Sequence, residues 1–384
     1  LEKLRKEVFY RMNCVRKVHN DQSITNIHYN ELMSLTQLSQ YIRKYYPYAI
    51  LGVLLFLIIF YSVQLALVII ESRKVNPVMI NPIFNQLKRP YLSEATPSGN
   101  LKYVLDTVDG KPITATKSAQ VFFLPQAETK FGYREKLYLI AKSLGFNTES
   151  SGYRLIGSQA TFSEPNQKIS IDIKNFNFDY QYFFEKDKAI LDGARPPNQE
   201  ESIQHAVDFL QTAGRYPQEL SQGKTNVLFL NYDAEKNSMA VLKDNIRANL
   251  VEVDFYRPDI DAQPNAVPVV SPKYFNSQNY VLMMFRTDGT FKVLRSQIKF
   301  FDKSVEQVGV YPIRSGDEAF ADLKKGKGFI VSLPPVTKIT IRKMFLGYFD
   351  PDVFQEYLQP VYVFLGDGDF VGYVPAVSGQ YLVE

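Results

Sequence analysis

The 384 residues are 45% hydrophobic and 22% charged, a balance that excludes a disordered chain and is long enough for two or three folded units. The formal net charge of +4 is unevenly placed: residues 1–74 hold ten Lys/Arg against five Asp/Glu, and the rest of the chain holds 34 against 35. Displacing counterions from phosphate needs a concentrated cationic face, so the larger part of the chain is not expected to bind nucleic acid.

The first segment, residues 1–47, reads as a cytoplasmic tail. The chain begins at Leu1, and Met33 opens a compact run into the following apolar stretch, so residues 1–32 are read as an extension upstream of a natural start. Cys14 is the only cysteine, which leaves the remainder without disulfides. A domain of that length can bury a sufficient core unaided, so an oxidising exterior is permitted but not required.

Tyr48 to Ile70 contains no charged residue over 23 positions. At about 1.5 Å per residue a helix of that length crosses a hydrocarbon core of about 30 Å. Arg43, Lys44, Tyr45, Tyr46 and Tyr48 flank one end, and Glu71, Arg73 and Lys74 the other, as expected of headgroup-level residues. The spacing therefore predicts a transmembrane helix over 48–70 whose partner is the lipid bilayer. Residues 1–47 hold eight basic and four acidic groups, so the positive-inside rule places the N-terminus in the cytoplasm and residues 71–384 outside a single-pass cell membrane protein. Pro77, Pro82, Pro90 and Pro97 make residues 71–100 read as a semi-extended stalk.

Beyond the stalk a short helix, a glycine stop and strands recur three times. Helices are predicted over Tyr133–Leu144, Ser202–Thr212 and Asp317–Leu323, each with one apolar face, followed by Gly145, Gly214 and Gly326. Asn175–Phe184 alternates aromatic and polar residues with period two, predicting a strand with one covered side. Its aromatic stripe reads as core packing under a helix rather than as a ligand groove. Hairpins are predicted for Tyr280–Phe285 with Thr290–Phe300 about Asp288-Gly289, for Val361–Leu365 with Phe370–Val374, and for Asn226–Tyr232 with Met239–Leu242. The fold class is α+β: one N-terminal transmembrane helix followed by tandem helix-plus-antiparallel-sheet units. The Pro-rich joint at Ala194–Asn198 divides a first α+β domain, 101–195, from a second α+β region, 198–384.

The outer part carries one histidine, His205, and no serine in a nucleophile-elbow pattern, so no catalytic residue is assigned. Gly326-Lys327-Gly328 lacks phosphate-loop spacing, and Asp233–Asn237 lacks the glycine and distal glutamate of a calcium loop. No metal or cofactor is expected. Asp254, Asp259, Asp261, Asp367 and Asp369 stand near turn formers and read as solvated loop residues. Tyr348, Phe349, Val353, Phe354 and Tyr357 crowd one segment, with more aromatic surface than a helical turn buries. Tyr348, Phe349, Phe354 and Tyr357 are accordingly the predicted partner-binding residues.

The closing third contains Tyr311-Pro312-Ile313, Glu318-Ala319, Leu346-Gly347-Tyr348-Phe349, Leu358-Gln359-Pro360-Val361-Tyr362-Val363-Phe364 and Tyr373-Val374-Pro375-Ala376-Val377-Ser378-Gly379-Gln380. These runs resemble the closing module of the YycH and YycI proteins, membrane-anchored accessory regulators of a cell-wall-sensing histidine kinase, and more loosely PepSY domains. The resemblance covers 311–384; the rest resembles uncharacterised single-span bacterial proteins. It implies a bacterial, non-enzymatic regulator whose partner is another envelope protein. The alternative is an extracytoplasmic glycan- or peptide-binding module using loops such as Phe275–Asn279, and a third reading is a carboxylate-dependent hydrolase.

Overall fold

In the computed structural model, residues 35–73, 80–92, 96–97, 101–113, 116–150, 152–184, 194–262 and 265–383 are described. The expected extension over 1–32 lies outside them. The chain divides into two units, Leu1–Asn76 and Pro77–Glu384.

The described part of the first unit is a helix, α1 (Leu35–Arg73), uninterrupted by Pro47. Its stretch Arg43–Ile69 is long and apolar enough to cross a membrane and buries no side chain against protein. This fits a single-pass membrane protein.

The second unit is mixed α+β. In chain order its strands begin with β1 (Leu87–Lys88), β2 (Thr96–Pro97), β3 (Lys102–Leu105) and β4 (Ser118–Phe123). Helix α2 (Tyr133–Ser143) precedes β5 (Arg154–Ile156), β6 (Gln159–Glu164), β7 (Gln167–Asp172) and β8 (Phe178–Tyr182). Helices α3 (Gln199–Thr212) and α4 (Gln218–Ser221) precede β9 (Thr225–Asp233), β10 (Ser238–Leu242), β11 (Leu250–Phe255), β12 (Ile260–Ala262), β13 (Asn265–Val267), β14 (Val269–Val270), β15 (Tyr280–Phe285), β16 (Phe291–Ile298) and β17 (Val308–Pro312). Helix α5 (Gly316–Lys324) leads to β18 (Phe329–Ser332), β19 (Lys338–Phe349), β20 (Tyr357–Gly366), β21 (Phe370–Pro375) and β22 (Leu382–Val383).

Two sheets result. The first is antiparallel throughout, in the order β10-β9-β11-β15-β16-β8-β7-β6-β5. Its covered face packs Phe162, Ile169, Tyr180, Val253 and Val281 against Leu137, Ile140 and Ala141 of α2 and Ala206, Phe209 and Leu210 of α3. The second runs β14-β19-β20-β21-β18-β2, with β3 beside β19 and β4 joining β17 to β20. Ala319 and Leu323 of α5 cover one of its faces, over Tyr362, Phe364 and Val374.

The three predicted helices end as expected, with Gly145, Gly214 and Gly326 all at positive φ, the conformation that closes a helix at little cost only for glycine. Asn198 caps α3 by accepting from the Glu201 N–H at 2.9 Å, and Ser315 with Glu318 forms a reciprocal capping box on α5.

Three readings need correction. The strand predicted from Asn175 begins at Phe178, because Phe176 lies in the preceding turn at φ 60°, where its N–H donates to the Asp172 carbonyl. Residues 80–92 are not a stalk. Asn81 exchanges two backbone hydrogen bonds with Val310, β1 pairs with β22, and Leu87 and Leu92 are buried, because apolar residues between the prolines find a complementary surface around Tyr311 and Val377. The 194–198 joint is not a boundary between sheets either, since β8 pairs with β16 across it, Asp179 opposite Gln297. Conversely, β3 and β4 of the expected first domain pair with β19, β17 and β20 of the C-terminal region. Burial, rather than a proline-rich linker, decides where the chain divides.

Candidate functional site

Helices cover one face of the first sheet; the period-two alternation of its strands therefore turns polar residues to the other. Strand register arranges these in rows. Asn226, Asp254, Tyr280, Gln297, Asp179 and Ser170 lie side by side across six strands, and Gln181 stands opposite Lys168 in the next row.

At the β6–β8 end this polar face forms one side of an open groove of about 650 Å³. The sheet contributes Gln159, Lys168, Ser170, Asp172, Asp179 and Gln181. The loop after β19 supplies Asp352, Val353 and Phe354, so the groove is built from both sheets. Phe354 is 37% exposed and meets Phe301 edge-on, ring centroids 5.7 Å apart. Asp172 is committed to structure: it accepts from Ser158 Oγ at 2.8 Å, Gln159 Nε2 at 3.2 Å and the Lys174 N–H at 2.8 Å. The side chains of Lys168, Asp179, Gln181 and Lys299 hold no hydrogen bond or ion pair among the described residues. Asn177, buried in the lining, uses Oδ1 for Arg215 and the Phe300 N–H, while its Nδ2 has no acceptor among the described residues.

A buried ionic hub holds the two walls in register. Arg257, whose side chain is fully enclosed, donates from Nε to Asp350 at 3.1 Å, from one terminal nitrogen to Glu219 at 2.8 Å and from the other to the Phe301 carbonyl at 2.7 Å. Its guanidinium also lies 4.1 Å from the Phe300 ring centroid. Gln278 donates to Asp350 Oδ2 at 2.9 Å, and Lys303 pairs with Glu219. Asp350 directly follows β19, two residues before the groove wall begins, so the hub links the loops of the first sheet to the rim contributed by the second. Burial raises the Asp350 pKa, opposed by Arg257.

Elsewhere on the polar face, burial first and the neighbouring Glu252 second push the Asp254 carboxyl up to about 7. Burial likewise raises Glu252, and it takes Tyr280 up to about 12. Asp254, read from the sequence as a solvated loop residue, instead lies within β11, completely enclosed beneath the loop that brings the Ser277 N–H to 3.4 Å from its carboxylate. A substrate cannot reach it in this conformation, which separates its shifted ionisation from any exposed hydrolytic pair.

The predicted partner-binding residues are split by the fold. Tyr348 and Phe349 belong to the core: Tyr348 is fully buried with its hydroxyl donating to the Gln120 carbonyl at 3.0 Å, and Phe349 is 2% exposed. Both end a twelve-residue strand, not a helical turn; β14 pairs alongside them, and Phe122 of β4 meets the Tyr348 ring edge-on. Tyr357 is half-buried, 4.9 Å from the Phe84 ring centroid. Phe354 and Val353 alone present broad apolar surface to solvent, and Phe354 also borders a second cleft of about 220 Å³ with Lys88, Tyr91 and Tyr357. Sequence reasoning missed Lys168 and Lys299; it placed Asp179 and Gln181 on the polar side of a strand but read that side as plain solvent face.

The other predicted features take ordinary places. His205 packs its ring against Phe285 and Phe291, at 5.3 and 5.1 Å. Asp233 accepts from the Glu235 and Lys236 N–H groups, and Lys224 pairs with Asp259 at 2.8 Å. Among the described residues no group of three or more His, Cys, Asp or Glu could hold a metal ion.

No protein-family model matches the chain, and no curated protein matches it. Two solved structures are similar over most of their length. An uncharacterized protein from Eubacterium rectale is 14% identical over 69% of this chain and 85% of its own, with a TM-score of 0.32. The C-terminal domain of Bacillus megaterium YpeB is 12% identical over 66% and 96%, with a TM-score of 0.25.

Proposed function

We propose that the chain is a membrane-anchored regulatory or interaction protein of a bacterial envelope, acting by binding and not by catalysis, with its folded unit outside the cell. The observation that carries this reading is the two-sheet groove, where unengaged polar side chains on rigid strands face an exposed aromatic rim. Such preformed concavities with a few placed polar groups are where proteins hold ligands. The orientation rests on the excess of cations in residues 1–47. The sequence resemblance of residues 311–384 to YycH and YycI is consistent with a regulatory partner in the same membrane.

The test combines topology with capture. A reporter after Glu384 should behave as extracytoplasmic, and one before Arg43 as cytoplasmic. Full-length protein drawn from its native membrane should bring an envelope component with it, and Phe354→Ala and Gln181→Ala should each reduce that yield while leaving unfolding cooperative. Inverted reporters would overturn the orientation; a component retained equally by both variants would overturn the groove as the contact surface.

A further inference from the structure

We infer that the groove takes a neutral oligosaccharide, an assignment that rests on reading the groove as the contact surface. Charge is the first reason. Its lining carries two lysines, Lys168 and Lys299, and three carboxylates, Asp172, Asp179 and Asp352, so neither sign dominates and no charged polymer is drawn in.

The floor supplies the second reason. Peptides most often gain affinity by adding a strand to an open sheet edge, where backbone donors and acceptors are unpaired. Strands β7 and β8 are interior: β7 pairs with β6 and β8, and β8 with β7 and β16. Their backbone groups are spent within the sheet, so a ligand here bonds to side chains alone. The ligand must therefore carry its polar groups outward along its length, as hydroxyls do around a sugar ring.

The third reason is how the unengaged groups are arranged. Lys168 stands opposite Gln181, and Asp179 stands opposite Ser170, whose hydroxyl is already donated to Gln159. Neighbouring strands lie about 4.8 Å apart and alternate residues about 7 Å apart along a strand, giving a lattice on the scale of one sugar ring and its neighbour. Donors (Lys168, Lys299, Gln181) and acceptors (Asp179, Gln181) are interleaved, which suits hydroxyls that both donate and accept. Across the groove, Val353 and Phe354 form an apolar wall, 43% and 37% exposed, for the C–H face of a ring.

The experiment titrates the full-length chain in lipid nanodiscs, free of sugar-headed detergent, with cellotetraose and with a tetramer of N-acetylglucosamine by calorimetry. Binding of at least one tetramer is expected, weakened tenfold or more by Asp179→Ala and by Phe354→Ala, and unchanged by Lys325→Ala outside the groove. Gln181→Ala gives the same readout if Phe354→Ala fails to unfold cooperatively. Binding indifferent to Asp179→Ala and Gln181→Ala would overturn the site. If neither tetramer binds while the groove variants still lose their envelope component, the saccharide class is wrong and the interaction reading stands. Binding of a capped neutral hexapeptide in place of the tetramers, with the same variant dependence, would likewise overturn the saccharide class.

Discussion

Replacing Arg257 with methionine should be among the most damaging single changes in the folded unit. The substitution keeps much of the apolar stem but removes the guanidinium that satisfies Asp350, Glu219 and the Phe301 carbonyl together. Glu219 retains Lys303, but Asp350, 5% exposed at its side chain, keeps only Gln278. Removing one partner of a buried ion pair leaves an uncompensated charge and costs about 3–5 kcal/mol. The orphaned Phe301 carbonyl lies within that figure, so about 4 kcal/mol is expected in total. Pairing Arg257→Met with Asp350→Leu removes the stranded charge and should recover most of the loss, since apolar replacement of a whole buried pair is often near neutral. The assay is urea unfolding of the full-length protein followed by tyrosine fluorescence, well suited to a chain with 25 Tyr and no Trp. A single variant within about 1 kcal/mol of the parent, or a double variant as unstable as the single, would refute the reasoning. Because the hub positions Asp350 beside the groove wall, the single variant should also weaken ligand capture.

Three further outcomes follow. Asp254 has its carboxyl raised from 3.8 to about 7, so the folded chain holds this proton more tightly than the unfolded one; its contribution is full below about pH 4 and is lost as pH rises to about 7. Asp254→Asn should therefore match the parent near pH 4 and exceed it at pH 8 by up to about 4 kcal/mol, read from urea midpoints at both pH values; an equal difference at the two would contradict the assignment. A chain starting at residue 77 should melt as the full-length unit does. One starting at residue 93 loses the packing of Phe84, Leu87 and Leu92, worth about 1.5–3 kcal/mol per large side chain, and should melt lower; equal midpoints would restore the stalk reading. Tyr348→Phe should cost about 1 kcal/mol for its hydroxyl bond to Gln120, and Tyr348→Ala about 3–5 kcal/mol as a core cavity, with no selective effect on capture. Selective loss of capture by a fully stable Tyr348→Ala would return that residue to the surface.

Local elements were legible in the sequence because local chemistry specifies them. The glycines after each helix, the Asp288-Gly289 turn and the alternation through Phe178–Tyr182 each encode a backbone or a face within a few residues. Pairings between distant segments were not legible. Nothing near Leu87 announces β22, almost 300 positions away, and nothing in β4 announces that β17 and β20 complete its ladder. The groove suffers from the same limit. Gln181 and Phe354 line one groove only once the two sheets are together, and Arg257 bonds across 93 positions to Asp350. Aromatic crowding at Tyr348–Tyr357 was a true signal of burial as well as of surface, and composition alone does not separate the residues that end a strand from the two that sit on the loop beyond it.

Site-directed photocrosslinking in the native membrane tests the groove most directly. A benzoylphenylalanine at Gln181, on the groove floor, should crosslink an envelope component in growing cells, as should one at Phe354. The same probe at Leu139, 50% exposed on α2 and remote from the lining, should not. Equal crosslinking at Leu139, or none at Gln181 and Phe354 with the protein folded and inserted, would contradict the groove as the surface through which this protein acts.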